Sequence, residues 1–210
     1  MSAYKLASVL LQYPSTGLVS DPDRLRTASE GVPSRAGRAA FGRFLCWLSE
    51  TPPGVVAQHY VETFDLRRRC TLYLTYPRYG DTRKRGMSML TFKTAYRAAG
   101  FVPSEDELPD YLPMVLEFAD LCPAGERLLR SHRLDLELLR RGLDRAGTPY
   151  ADVVAAVCEH LPGLGRRELA LVARAWESGP PREEVGLEPF APPEYLSGYG
   201  AGADRGEVAR

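Results

Sequence analysis

No stretch of this 210-residue chain approaches the roughly 20 apolar residues that span a bilayer, and no apolar run of the signal-peptide kind follows Met1. A membrane-inserted protein and a secretory leader are therefore not expected. The four cysteines, Cys46, Cys70, Cys122 and Cys158, are scattered, with no CxxC and no Cys–His pair at zinc spacing. That excludes the familiar zinc frameworks and predicts free thiols on apolar helical faces, as suits a reducing cytoplasm. Neither sign of charge is in excess: 27 Lys and Arg balance 27 Asp and Glu. Whole-molecule attraction to nucleic acid or to an anionic membrane is not expected. Histidine is scarce, and His59, His132 and His160 each read as structural residues on or at the end of a helical pattern. GxSxG, HExxH and GxxxxGK[ST] are all missing. The chain reads as a non-enzyme with no metal and no cofactor.

Strand alternation is almost absent too, and what is there is helical spacing. Ala3, Leu6, Ala7, Leu10 and Leu11 make one apolar face, stopped by Pro14. Ser34 can cap a helix burying Ala40, Phe41, Phe44, Leu45 and Leu48. Thr51 with Pro52–Pro53 opens another that carries Val56, Tyr60, Thr63 and Phe64 inward, and Leu66, Cys70, Tyr73 and Leu74 continue its pattern. Met87, Leu90, Thr91 and Ala95 predict an inward stripe ending at a Gly100 cap. Leu108, Tyr111, Leu112, Val115, Leu116 and Ala119 predict a helix across the acidic stretch. A long helix from Leu128 through Leu143 closes at Gly147, Thr148–Pro149 starts the next, and Leu169, Val172, Ala173 and Trp176 form a last one. The fold class is all-α, a single helical-bundle domain over residues 1–178. From 179 to 210, prolines and glycines predict a tail, within which Val185–Phe190 is expected to dock on the body.

Charge is balanced overall but segregated locally. Between Leu66 and Arg97 lie Arg67, Arg68, Arg69, Arg78, Arg83, Lys84, Arg85, Lys93 and Arg97 against the single acid Asp81. Between Ser104 and Glu126 lie Glu105, Asp106, Glu107, Asp110, Glu117, Asp120 and Glu126 with no base. One reading is two solvated helix faces, paired across the domain. The other is a partner surface: Asp110 and Glu117, seven residues apart, would share one helix face opposite the apolar stripe and rim a groove for a basic amphipathic peptide. Tyr111, Met114 and Phe118 are either core or the adaptable apolar contacts of that groove. Gly80–Asp81–Thr82 reads as a turn feeding a helix, with positive φ at Gly80.

These motifs carry a resemblance. Leu10–Leu11–Gln12–Tyr13–Pro14, Tyr60–Val61–Glu62–Thr63–Phe64–Asp65, Leu72–Tyr73–Leu74–Thr75–Tyr76, Gly80–Asp81–Thr82–Arg83–Lys84–Arg85–Gly86 and Glu107–Leu108–Pro109–Asp110–Tyr111–Leu112–Pro113 with Leu116–Glu117–Phe118 resemble the NarJ-type chaperones of respiratory nitrate reductase, within the TorD-like group. The similarity covers about residues 5–165. It implies an all-helical cytoplasmic chaperone that binds the apo catalytic (alpha) subunit of a molybdenum nitrate reductase through its N-terminal, leader-like segment. It also implies that the chaperone assists molybdenum cofactor insertion before membrane attachment. The family-matching charged residues are Glu62, Asp65, Arg67, Asp81, Arg83, Arg85, Asp110 and Glu117. The expected peptide contacts are Glu62, Asp65, Asp110, Tyr111, Met114, Glu117 and Phe118, with no nucleic acid as partner. The alternatives are a maturation chaperone for a related molybdoenzyme, or a nucleotide-dependent enzyme or switch using the Gly80–Gly86 turn.

Overall fold

Ser2 opens the first helix by accepting a hydrogen bond from the Lys5 amide, which satisfies one of the orphan donors of that end. The helix, α1 (Ala3–Leu10), buries Leu6, Ala7 and Leu10. The computed structural model describes residues 1–15, 22–103 and 106–181. Within them α2 (Pro22–Glu30), α3 (Arg35–Glu50), α4 (Pro53–Phe64), the single turn α5 (Tyr76–Tyr79) and α6 (Arg83–Ala98) make the first half. The second half is α7 (Leu112–Leu121), α8 (Pro123–Ser131), α9 (Arg133–Ala146), α10 (Tyr150–Cys158) and α11 (Arg166–Ser178). Ser34 caps α3 through Gly37, prolines occupy the first turns of α4, α7 and α8, and Gly147 closes α9 in the left-handed region. The all-helical expectation holds: among the described residues the only β feature is the isolated antiparallel bridge Tyr73↔Tyr111.

The helices surround one core that runs from Ala3 to Leu161. α7 packs on both α1 and α8, α3 packs on α10, and α9 packs on α10 and α11. Tyr150, fully buried on α10, gathers Phe64 at 4.8 Å, Phe44 at 5.0 Å and Tyr60 at 5.8 Å, centroid to centroid. Offset and edge-on ring pairs of this kind add about 0.5–1.5 kcal/mol each beyond their buried area. α7 and α8 approach until the Gly125 backbone touches that of Phe118, since a Cβ there would lie 2.3 Å from the Phe118 carbonyl. This contact sets the position of α7, on which the site below depends.

Several elements depart from the expected pattern. α2 has no strong apolar stripe and was not anticipated; it buries Leu25. Residues 65–75 do not prolong α4: the chain turns out at Asp65 and Leu66 is 72 % exposed. On α6 the buried residues are Phe92 and Tyr96, while Met87 and Leu90 face outward. The helix over the acidic stretch starts at Leu112, four residues after Leu108, which is partly exposed. The long helix through Leu143 is two, broken at His132. Leu169 is exposed on α11, whose buried residue is Val172. Cys46 is exposed rather than on an inner face, and Cys122 and Cys158 are half-buried; only Cys70 is fully inside, and all are free. The tail from 182 to 210, with the Val185–Phe190 docking segment, lies outside the described residues, as do Ser104 and Glu105.

Candidate functional site

Opposite charges from the two segregated stretches meet inside the protein. Asp110 is fully buried. Its carboxylate accepts from the Thr75 hydroxyl at 2.5 Å and the Thr75 amide at 3.2 Å, and the Arg85 guanidinium stands 3.6 Å away. Arg85 also donates to the Thr75 hydroxyl and lies 5.4 Å from the ring centroids of both Tyr73 and Tyr76. Main-chain bonds Leu74 N to Asp110 O and Leu112 N to Leu72 O complete the clasp. Arg68 bonds the Tyr76 hydroxyl and Asp81, and Arg78 bonds Asp135, which also holds His132. The Asp110 side chain therefore forms no rim with Glu117. It precedes α7 rather than sharing a face of it, because Pro113 in the first turn marks the helix start.

Beyond this clasp, α7 presents an outer side. Phe118, 3 % exposed, is its floor, flanked by Tyr96 at 4.7 Å and Phe101 edge-on at 5.2 Å. Tyr96 is fixed by its hydroxyl, which donates to the Pro109 carbonyl. Gly100, with φ +79, turns the chain so that Phe101, Val102 and Pro103 form one wall. Val102 is 92 % exposed and Leu121 is 58 % exposed, while Met114 is half-buried. Together with Glu117 they bound a groove of about 180 Å³. On the other flank α1 holds α7 through Ser8 to the Pro113 carbonyl, Ser2 to Asp120 and Lys5 to Glu117.

Met114, Glu117 and Phe118 are thus brought together. Tyr111 lies a turn earlier beside Tyr60 and Asp65, its hydroxyl pKa raised by burial first and by the Glu107 and Asp65 charges. The neighbouring Tyr73 hydroxyl donates to Glu107 and is pushed up to about 12, by burial and then by that carboxylate. Asp65 and Glu62 are exposed at the end of α4, Glu62 accepting from Gln58 and lining no part of the groove. Arg67 is exposed near the Ala146 carbonyl, Asp81 and Arg85 belong to the clasp, and Arg83 opens α6. The rim is less acidic than expected, because Glu117 is paired with Lys5. Tyr96, Phe101, Val102, Pro103 and Leu121 were missed. The signals were an apolar run placed directly after Gly100 and the continuation of the Met114–Phe118 spacing to Leu121.

The described residues thus form an all-helical body with an exposed apolar groove, and no cluster among them could hold a metal ion. The family model described as nitrate reductase delta subunit matches residues 33–156, more than half of the chain. The chain belongs to that family. It is 45% identical over 159 residues, 74% of its length, to the nitrate reductase-like protein NarX of Mycobacterium tuberculosis, of which it spans 24%. It is 29% identical over 167 residues to the probable nitrate reductase molybdenum cofactor assembly chaperone NarJ of Bacillus subtilis, covering 79% of this chain and 91% of the relative. The nitrate reductase molybdenum cofactor assembly chaperone NarJ of Escherichia coli K12 is 30% identical over 151 residues, 70% of this chain and 64% of the relative. No helix of the described residues is long and apolar enough to cross a membrane.

Proposed function

We propose that this chain is an assembly chaperone for a molybdenum nitrate reductase. It binds the N-terminal segment of the apo catalytic subunit along the outer side of α7 and holds that subunit until the molybdenum cofactor is in place, before membrane attachment. The observation that carries the reading is the groove, which leaves Val102 and Leu121 largely in water in a chain of this family. A helical segment with apolar residues on one side would cover both, and burying each such side chain contributes about 1.5–3 kcal/mol. Asp65 beyond Tyr111 offers a carboxylate to a basic residue of the segment. The Asp110 clasp holds α7 and the preceding loop in place and makes no contact with the ligand.

The role requires binding and release, so the chain supplies no catalytic step, cofactor or metal. Calorimetric titration with the N-terminal peptide of the catalytic subunit tests the reading. The double substitution Val102→Asp and Leu121→Asp should weaken binding at least about tenfold, that is by about 1.4 kcal/mol or more. Unchanged affinity would remove the groove from the site. The higher identity to the nitrate reductase-like NarX than to the NarJ proteins favours a second reading, a maturation chaperone for a related molybdoenzyme. Preference for that enzyme's peptide in the same titration decides between them.

A further inference from the structure

α6 is 16 residues long yet buries only Phe92 and Tyr96. It holds five basic residues, Arg83, Lys84, Arg85, Lys93 and Arg97, and no acid. Arg85 alone turns inward, to Asp110. At about 3.6 residues per turn, Arg83, Gly86, Met87, Leu90, Thr94 and Arg97 fall on the side away from Phe92 and Tyr96, and all six are exposed. Met87 is 69 % exposed and Leu90, one turn on, 52 %. Lys84 and Lys93 flank them and are exposed too. Among the described residues, Lys84, Lys93 and Arg97 meet no carboxylate at ion-pair distance. Asp81, the nearest acid in sequence, precedes the helix and pairs with Arg68.

Two large apolar side chains standing in water among cations call for a partner that is both anionic and apolar just beneath its surface. The face is the convex outer side of a single helix. Its charges are spread over about 21 Å from Arg83 to Arg97, at about 1.5 Å per residue. A stable protein interface buries about 800 Å² on each partner around a central cluster, which two side chains on a ridge do not supply. An anionic lipid surface asks for less. Its headgroups move laterally and can pair with cations at any spacing, while Met87 and Leu90 reach the acyl boundary. The neutrality of the whole chain does not oppose this, because charges beyond about 8 Å are largely screened at about 0.15 M salt.

We propose that the outer face of α6 is a peripheral docking surface for anionic membranes. Met87 and Leu90 are its shallow anchors, and Lys84, Lys93 and Arg97 its headgroup contacts. The face lies across α6 from Tyr96, which walls the α7 groove, and is independent of what that groove binds. Sedimentation of the full chain with vesicles tests it. At about 50 mM salt the chain should bind phosphatidylcholine vesicles containing about 30 % phosphatidylglycerol and should ignore pure phosphatidylcholine. Raising salt to about 0.5 M should weaken binding at least about tenfold. Met87→Gln with Leu90→Gln, and separately Lys93→Glu with Arg97→Glu, should each weaken it about tenfold, with the urea midpoint nearly unmoved because all four side chains stand in water. Met87→Trp should shift tryptophan emission to the blue on adding the anionic vesicles. No binding to anionic vesicles at low salt, equal binding to pure phosphatidylcholine, or binding that survives both double substitutions overturns the proposal. A chain that ignores the vesicles but binds poly-glutamate through these same residues also overturns it, by assigning the face to an acidic protein.

Discussion

Asp110 illustrates how burial changes the meaning of a charge. Its separation of seven residues from Glu117 places two carboxylates on one face only if both belong to one helix, and the helix begins after Asp110. Once inside, the carboxylate must be matched, and Thr75 and Arg85 match it. Asp110→Ala would leave the Arg85 guanidinium, 14 % exposed, without its counter-charge. The expected loss is about 3–5 kcal/mol in urea unfolding. Charge reversal at this position therefore reports on folding, and the Val102 and Leu121 pair is the cleaner probe of binding. Glu137 makes a pH-dependent counterpart. Burial, its largest single influence, raises its pKa, but hydrogen bonds from Arg140 and Arg141 and the charge of Arg133 together hold it below the usual carboxylate range. A folded pKa below the unfolded one means stability present above the unfolded value and lost as pH falls through the folded one. Glu137→Gln should therefore cost about 1–2 kcal/mol at pH 7, with the two unfolding curves converging as the pH falls below the usual carboxylate range.

At the level of elements, two helical glycines make opposite predictions. Gly86 on α6 has open space where a Cβ would go, so Gly86→Ala should gain up to about 1 kcal/mol from helix propensity alone. Gly125 on α8 meets the Phe118 backbone, so Gly125→Ala forces α7 and α8 apart at an expected net cost of about 1–3 kcal/mol. Urea midpoints of the two variants should move in opposite directions. Periodicity revealed α1, α3, α4 and α10 because each buries a wide stripe and carries a recognisable start. It misassigned the inner side of α6 because that helix buries only Phe92 and Tyr96, and two residues four apart do not outweigh Met87 and Leu90 in a pattern. Residues 65–75 were invisible as a turn-rich clasp: their tyrosines and leucines look helical in spacing, whereas their bonds run to Asp110 and Leu112, more than thirty residues away.

For the whole molecule, the all-helical class and the family were legible in the sequence, since local pattern and long motifs are both properties of contiguous residues. The groove was legible only where it coincides with α7, at Met114, Glu117 and Phe118. Its remaining walls are Leu121 at the end of α7, Tyr96 of α6 and the turn after Gly100, and one-dimensional spacing does not show which separate segments meet. The charge segregation was correctly noticed, but much of it is internal pairing, with Arg85 on Asp110 and Arg78 on Asp135.

The ties that knit the body span about half of the chain: on α7, Lys5 reaches Glu117 across 112 positions and Ser8 reaches Pro113 across 105, and Arg43 on α3 reaches Asp152 on α10 across 109. Contacts so distant in sequence form late and after a costly search. The ribosome must have released the chain well past Leu121 before α1 has a surface to lie on. A copy made only to its midpoint therefore has helices but lacks the α7 side of the groove.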